Sequence, residues 1–222
     1  MVAKYDGILF DLDGTLWDAT KSIKQSWNEV LLRHSEIKRE PITEQELGEC
    51  MGLTMYKIAA KLFPKETENV QKMLMDELCD YENKYLAQYG GILYDDLEEV
   101  LKNLHQDFKL YIVSNCQDGY IQAFLKAHHM ESYFDDIECW GRTRASKGVS
   151  NKILMERNGL KCPVYVGDTQ KDAESAKEAG IDFIYAAYGF GTVENKDYVK
   201  KIEKLKDLLQ LKECSDRMVK NG

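Results

Sequence analysis

The stretch from Tyr5 to Leu16, YDGILFDLDGTL, places two aspartates directly after an apolar run. Because Ile8, Leu9 and Phe10 do not alternate with polar residues, the run predicts a strand buried on both faces of a parallel sheet. Carboxylates at the end of such a strand cost free energy unless a cation neutralises them or one keeps its proton. We therefore expect a ligand site at this strand end, with a divalent metal as the simplest neutraliser. A plain Asp-Gly surface turn is the alternative.

The composition limits the partners that this chain can have. Its 222 residues fit one large domain, or a core with a smaller inserted domain, and its formal charge of −8 argues against a general nucleic-acid or anionic-membrane surface. The six cysteines show no CxxC pair or zinc spacing, and the N-terminus lacks the apolar core of a signal peptide. We expect a cytoplasmic protein, a monomer or weak homodimer, that binds neither nucleic acid nor membrane.

A block of helical periodicity follows the first strand. Apolar residues recur at helical spacing over about 18–89, and Thr43-Glu-Gln-Glu has the form of a capping box. Because predicted strands precede and follow this block, we expect an all-helical cap domain over 18–89, inserted into an α/β core made of 1–17 and 90–222. Short linkers, with Gly90-Gly91 at the return, would let the cap move as a lid.

The core portion alternates strands with helices, which predicts a Rossmann-like parallel sheet. Apolar strands are expected from Lys109 to Ser114, over 163–167 and over 183–187, and a helix is expected over 150–158. The segment 197–211 is rich in lysine and predicts an amphipathic helix.

Three of the predicted strands end in polar side chains, and a lone lysine lies in a predicted loop between them. These residues are Asp11 and Asp13, then Ser114 and Asn115, then Lys147, then Asp168 with Asp172 one helical turn later. A parallel sheet brings such strand ends together, so we expect one shared site.

These motifs resemble the haloacid dehalogenase (HAD) superfamily of phosphatases. The sequence has DLDGT at 11–15, VSN at 113–115, Lys147 and GDTQKD at 167–172, in that superfamily's order. The resemblance runs from about 5 to 191, includes the helical cap, and is closest to the phosphoglycolate phosphatase-like branch. It implies a HAD-like fold and a magnesium-dependent phosphatase that cleaves small phosphorylated metabolites through an aspartyl-phosphate.

The resemblance also implies a role for each motif residue. Asp11 would be the nucleophile, and Asp13 the general acid and base. The residues expected to hold the phosphoryl group are Leu12, Gly14, Thr15, Ser114, Asn115 and Lys147. Those expected to hold magnesium are Asp11, Asp13 through its carbonyl, and Asp168, while Asp172 would orient Lys147 or a metal-bound water. The residues expected to read the rest of the substrate are Trp17, Met51, Gly52 and Tyr56.

Several alternatives stay open at this point. Asp168 and Asp172 could simply cap a helix, since acids are favoured at helix starts. Lys147 is followed by glycine where the superfamily commonly has proline, so a neighbouring base could take its place. These neighbouring bases are Arg142, Arg144 and Lys152.

Other functions would also use such a cluster. A sugar-phosphate mutase of the same fold is possible, whereas a haloalkanoic-acid dehalogenase would not need Asp13. A receiver-like phosphate-binding or signalling module would use similar acids around magnesium, but it would have no need of a helical insert.

Overall fold

The computed structural model describes residues 5–50 and 52–211. Its strands are β1 (Gly7–Phe10), β2 (Trp17–Asp18), β3 (Ile92–Leu93), β4 (Lys109–Ser114), β5 (Asp136–Cys139), β6 (Val164–Gly167), β7 (Asp182–Ala186) and β8 (Lys200–Ile202). Six of them form one parallel sheet in the order β5-β4-β1-β6-β7-β8. The parallel sheet expected from the sequence is therefore confirmed.

Strand β1 lies in the middle of this sheet. Phe10 pairs with Ile112 of β4 on one side and with Val166 of β6 on the other, and all four residues of the strand are buried. Burying each large apolar side chain contributes about 1.5–3 kcal/mol, which explains why β1 has no polar alternation. The strand end that carries Asp11 is thus held from both sides.

The described part of the chain contains nine α-helices. They are α1 (Thr20–Leu31), α2 (Glu44–Gly48), α3 (Met55–Leu62), α4 (Glu68–Tyr89), α5 (Leu97–Leu104), α6 (Tyr120–His128), α7 (Trp140–Thr143), α8 (Lys147–Asn158) and α9 (Gln170–Ala179). Helix α2 begins with the predicted capping box, in which the Thr43 hydroxyl and the Glu46 carboxylate each accept from the other's backbone N–H.

Helices α1 to α4 make up the helical segment, residues 20–89, which lies between β2 and β3. These two short strands pair with each other antiparallel, Trp17 with Leu93, so the segment leaves and re-enters the sheet region at one place. Its longest helix, α4, packs on α1 and on α6. Leu74 and Leu78 of α4 belong to the same buried cluster as Phe124 of α6, so the helical segment is packed directly against the sheet domain.

Two sequence-based expectations for helices are wrong. Instead of one amphipathic helix over 197–211, a 3₁₀ turn at Asn195–Asp197, strand β8 and a 3₁₀ turn at Leu205–Leu209 are present. Pairing of β8 with β7 satisfies the sheet edge and buries Ile202, so tertiary contact overrides the local helical pattern. Helix α8 begins at Lys147 rather than at residue 150, because the Ser146 hydroxyl caps it by accepting from the Val149 N–H.

Within the described ranges, no helix has the length and apolar character required to cross a membrane. Four cysteines of those ranges are buried free thiols, namely Cys50, Cys79, Cys116 and Cys139, and Cys162 is exposed. Cys214 lies outside the described residues.

Candidate active site

Asp11 lies at the carboxyl end of β1 and is 5% exposed. Its backbone N–H donates to the Val166 carbonyl at 2.8 Å, which ties it to β6. The Lys147 ammonium donates to Asp11 Oδ1 at 2.8 Å and to Asp172 Oδ1 at 2.6 Å. Burial and the charge of Asp172 raise the pKa of Asp11 to about 6, while Lys147 lowers it. Lys147 is therefore the group that favours the ionised form of Asp11, the form a nucleophile needs.

Lys147 itself is buried among these carboxylates. Burial alone would lower its pKa, but Asp11 and Asp172 together hold the pKa well above its usual range. The other bases considered from the sequence do not reach the cluster: Arg142 donates to the Ile137 carbonyl, Arg144 stacks on Trp140 and Lys152 is exposed. Lys147 is thus the base that the structure brings to Asp11.

Asp13 follows two residues later and is held by two donors. The Tyr120 hydroxyl donates to Asp13 Oδ1 at 2.7 Å, and the Trp17 indole N–H donates to the same oxygen at 3.0 Å. Neither donor bonds to Oδ2, the other carboxyl oxygen of Asp13. Burial raises the pKa of Asp13 to about 7, although the Tyr120 bond lowers it. A carboxyl with this pKa can both give and take a proton near neutral pH, as a general acid and base must.

Asp168 directly follows β6 and is fully buried. Its Oδ2 accepts from the Phe190 backbone N–H at 2.8 Å, whereas its Oδ1 has no hydrogen-bond partner in the described ranges. Burial, together with Asp172 and Asp11, raises the pKa of Asp168 to about 8. Gly14, at φ +82°, allows this approach, because a β-carbon there would lie 2.3 Å from Asp168 Oδ2.

The buried acids fit a magnesium ion. Asp11, Asp168 and Asp172 each offer a carboxylate oxygen, and these oxygens lie within 4.8 Å of one another. Magnesium prefers oxygen ligands, and a cation would offset the burial of the partnerless Asp168 Oδ1. Both oxygens of Asp172 are already engaged, by Lys147 and by Thr169, so Asp11 and Asp168 are the carboxylates available to a metal. The side chain of Asp13 lies outside this cluster, which leaves its backbone carbonyl as the group expected to contribute.

The helix-cap alternative applies to one of the two acids after β6. Asp172 forms a capping box with Thr169 at the start of α9 and also binds Lys147, so it has a structural and a site contact at once. Asp168 caps nothing, because Thr169 is the N-cap residue.

Three of the residues expected to bind phosphate line one cavity with Asp11, namely Ser114, Asn115 and Lys147. Ser114 is buried at the end of β4, and the hydroxyl of the buried Thr15 has no partner within the described ranges. The Gly14 N–H does not face a ligand, because it donates to the Trp17 carbonyl at 2.9 Å and closes the turn. Leu12 directs its backbone N–H toward the Asp11 carboxyl.

A cavity of about 70 Å³ adjoins Asp11 and Asp13, between the sheet and the helical segment. This volume has room for roughly five water-sized groups. Gly52 lines it, and the neighbouring Asn115 amide donates to the Gly52 carbonyl at 3.2 Å. The side chains that the helical segment contributes to this cavity include Ile23, Trp27, Leu53, Met55, Ile58 and Glu82.

Two other residues expected to read the substrate, Tyr56 and Trp17, do not line this cavity. Tyr56 is 59% exposed and stacks edge-on against Trp140, because Met55 and Ile58 occupy the inward face of α3. Trp17 is fully buried and contacts Asp13 rather than the cavity. Met51 lies outside the described residues.

The sequence profile of the haloacid dehalogenase-like hydrolases matches residues 8–186. The chain belongs to this hydrolase family. Among its relatives, a protein of Caldanaerobacter subterraneus provisionally named pyrophosphatase PpaX is 27% identical, with 80% of each chain covered. A phosphoglycolate phosphatase of Aquifex aeolicus is 26% identical, with 92% of this hydrolase and 95% of that protein covered.

The fold of this hydrolase is also similar to solved structures. A crystal structure from Haemophilus somnus, of a protein provisionally named a phosphoglycolate phosphatase, superposes with a TM-score of 0.81. The identity is 22%, and the alignment covers 94% of this chain and 98% of the other. The similarity supports the HAD-like α/β fold.

Sequence reasoning missed three groups that the structure places at the site. Tyr120 comes from the start of α6, the Phe190 N–H from the loop after β7, and Glu82 from the middle of α4. Glu82 occupies an inward position on α4 among apolar residues such as Leu78 and Leu86, and a carboxylate in an apolar stripe was the signal that could have found it.

Proposed function

We propose that this hydrolase is a magnesium-dependent phosphatase that cleaves small phosphomonoesters through an aspartyl-phosphate on Asp11. The observation that supports this proposal most directly is the position of Lys147. Its ammonium lies 2.8 Å from Oδ1 of Asp11, the buried aspartate at the end of the central strand. An ionised carboxylate can attack a phosphoryl group, and a covalent intermediate divides hydrolysis into two easier steps. The names of the relatives, a phosphatase and a pyrophosphatase, support phosphoryl chemistry.

Asp13 is the residue that we infer to move protons. Tyr120 and Trp17 fix one of its carboxyl oxygens, so the carboxyl has a defined orientation two residues from Asp11. In the first step Asp13 gives a proton to the leaving oxygen as the phosphorus–oxygen bond breaks. In the second step it takes a proton from the water that attacks the phosphorus, and Asp11 leaves as a carboxylate.

Asp11 and Asp168 would hold magnesium, with the backbone carbonyl of Asp13. When bound, magnesium supplies positive charge that offsets the repulsion between these carboxylates and a phosphate. The Lys147 ammonium adds positive charge of the chain's own on the same side of Asp11. We infer that the Thr15 and Ser114 hydroxyls, with Asn115 and the Leu12 backbone, hold the phosphoryl oxygens.

We further infer that residues 18–89 act as a cap domain on a core of 1–17 and 90–222. The cavity beside Asp13 is formed partly by this segment, and its small volume suits a small phosphorylated metabolite rather than a phosphoprotein. Family membership, together with a helical segment beside the cavity, favours a hydrolase over a receiver-like module. A cytoplasmic monomer or weak homodimer remains the expected form.

The test measures phosphate release from a generic aryl phosphate with magnesium, by the wild type and by Asp11→Asn. We expect the variant to keep its fold and to lose turnover, because an amide cannot act as the nucleophile. A residual rate above about one hundredth of the wild type would contradict the role of Asp11. Isomerisation of a sugar phosphate without phosphate release would point to the mutase instead.

A further inference from the structure

Glu82 is a buried carboxyl that the proposed reaction does not use. It lies on α4, is 2% exposed and lines the cavity that adjoins Asp13. The Trp27 indole N–H donates to Glu82 Oε2, and the Gln117 side chain also bonds to this carboxyl. Within the described ranges, Glu82 has no lysine or arginine partner. Burial raises its pKa to about 8.

Among the described residues around Glu82, none is a cation that is free to pair with a negative group. The neighbouring cavity wall is apolar, with Ile23, Met55 and Ile58 among its side chains. Lys147 is the one cation among the described lining residues, and it is engaged by two carboxylates at the phosphoryl end. Lys171 passes near Gly52 but does not line the cavity.

We propose that Glu82 selects the leaving group, so that the enzyme prefers small phosphomonoesters whose leaving group carries a hydroxyl or ammonium donor and no negative charge. This inference rests on the proposed phosphatase function and narrows its substrate class. The inference predicts that phosphoglycolate is a poor substrate of this enzyme, although a relative is named phosphoglycolate phosphatase.

The physical reason is the mismatch between two acids in a small apolar space. Even with Glu82 protonated, a leaving group that ends in a carboxylate would leave one negative charge in this apolar space with no cation to compensate it, and burying an unpaired charge is costly. A hydroxyl or ammonium group would instead donate to Glu82, which already accepts from Trp27. Such a site rejects a ligand that leaves its polar group unpaired.

The test compares three esters with two-carbon leaving groups that differ at the far end. These are ethanolamine phosphate, 2-hydroxyethyl phosphate and phosphoglycolate, whose ends are cationic, neutral and anionic. For the wild type with magnesium, we expect kcat/KM for phosphoglycolate to be at least about tenfold below the value for each of the others. Equal or better turnover of phosphoglycolate would overturn the proposal.

Two variants show whether Glu82 causes the preference. Glu82→Gln keeps an acceptor for Trp27 but removes the acid, and we expect the disadvantage of phosphoglycolate to shrink by about tenfold or more. Asp80→Asn removes an exposed acid from the same helix and should leave the ratio as in the wild type. If the ratio of kcat/KM for phosphoglycolate to kcat/KM for the other esters is the same in Glu82→Gln as in the wild type, the proposal is refuted.

A binding measurement separates this inference from the proposed function. Dissociation constants of the three esters on Asp11→Asn, measured by calorimetry with magnesium, do not depend on turnover. If the wild type cleaves no ester, including an aryl phosphate, the phosphatase proposal fails, and the binding order still decides the role of Glu82. Tightest binding of phosphoglycolate would refute that role even if all three esters are cleaved.

Discussion

Glu82 should make the stability of this protein fall as pH rises. Its pKa is raised from 4.5 to about 8 in the folded state, chiefly by burial. Between these values the folded chain keeps a proton that the unfolded chain has released, so each pH unit costs about 1.4 kcal/mol of unfolding free energy. Glu82→Gln has no proton to lose. We therefore expect the stability of Glu82→Gln minus that of the wild type to rise by about 2–3 kcal/mol from pH 5.5 to 7.5.

Burial, rather than the groups around Glu82, sets the sign of this effect. Asp13, across the cavity, opposes ionisation of Glu82, and the bonds from Trp27 and Gln117 favour it. Tyr120 and Cys79 also face it; burial raises the pKa of both groups, and the Glu82 charge raises it further. The hydrogen bonds that favour the charged form of Glu82 are weaker than the effect of burial, so burial determines that its pKa is raised.

The assay is urea unfolding of both variants at pH 5.5, 6.5 and 7.5, followed by circular dichroism. The quantity that tests the prediction is how the difference in unfolding free energy between Glu82→Gln and the wild type changes with pH. A constant cost of burying the glutamine amide does not affect that change. Asp80→Asn is the matched control, and its difference from the wild type should stay flat because the Asp80 side chain is exposed in α4. Parallel curves for Glu82→Gln and the wild type would refute the reasoning.

Three further perturbations test the site. Asp168→Ala should raise the magnesium concentration needed for half-maximal activity without loss of a helix cap; activity unchanged across a magnesium titration would contradict this. Tyr120→Phe removes a donor from Asp13, and we expect about a tenfold fall in kcat with little change in KM; steady-state kinetics with unaltered kcat would count against that role. Lys147→Met leaves two buried carboxylates without their cation and should cost about 3–5 kcal/mol of unfolding free energy in chelator, so a loss below about 1 kcal/mol would exclude this ion pair.

The fold was predictable where its signals are local. An apolar run without alternation indicates a strand buried on both faces, and β1 has this pattern over Gly7–Phe10. The capping box at Thr43 also acts over three residues, and it formed as expected. The prediction of a helix over 197–211 was wrong. The local pattern there suits a helix, but pairing of β8 with β7 satisfies the backbone hydrogen bonds of the sheet edge.

By itself, the sequence determined which acids end the central strands, because each follows its strand directly in the chain. It could not determine what these acids contact. Tyr120 reaches Asp13 across 107 residues of chain, and Glu82 enters the cavity only because α4 packs on α1 and α6. Hydrogen bonds and burial depend on distance in space, and only the tertiary structure brings such remote residues together. It therefore decided which donors hold the Asp13 carboxyl and which carboxyl lines the neighbouring cavity.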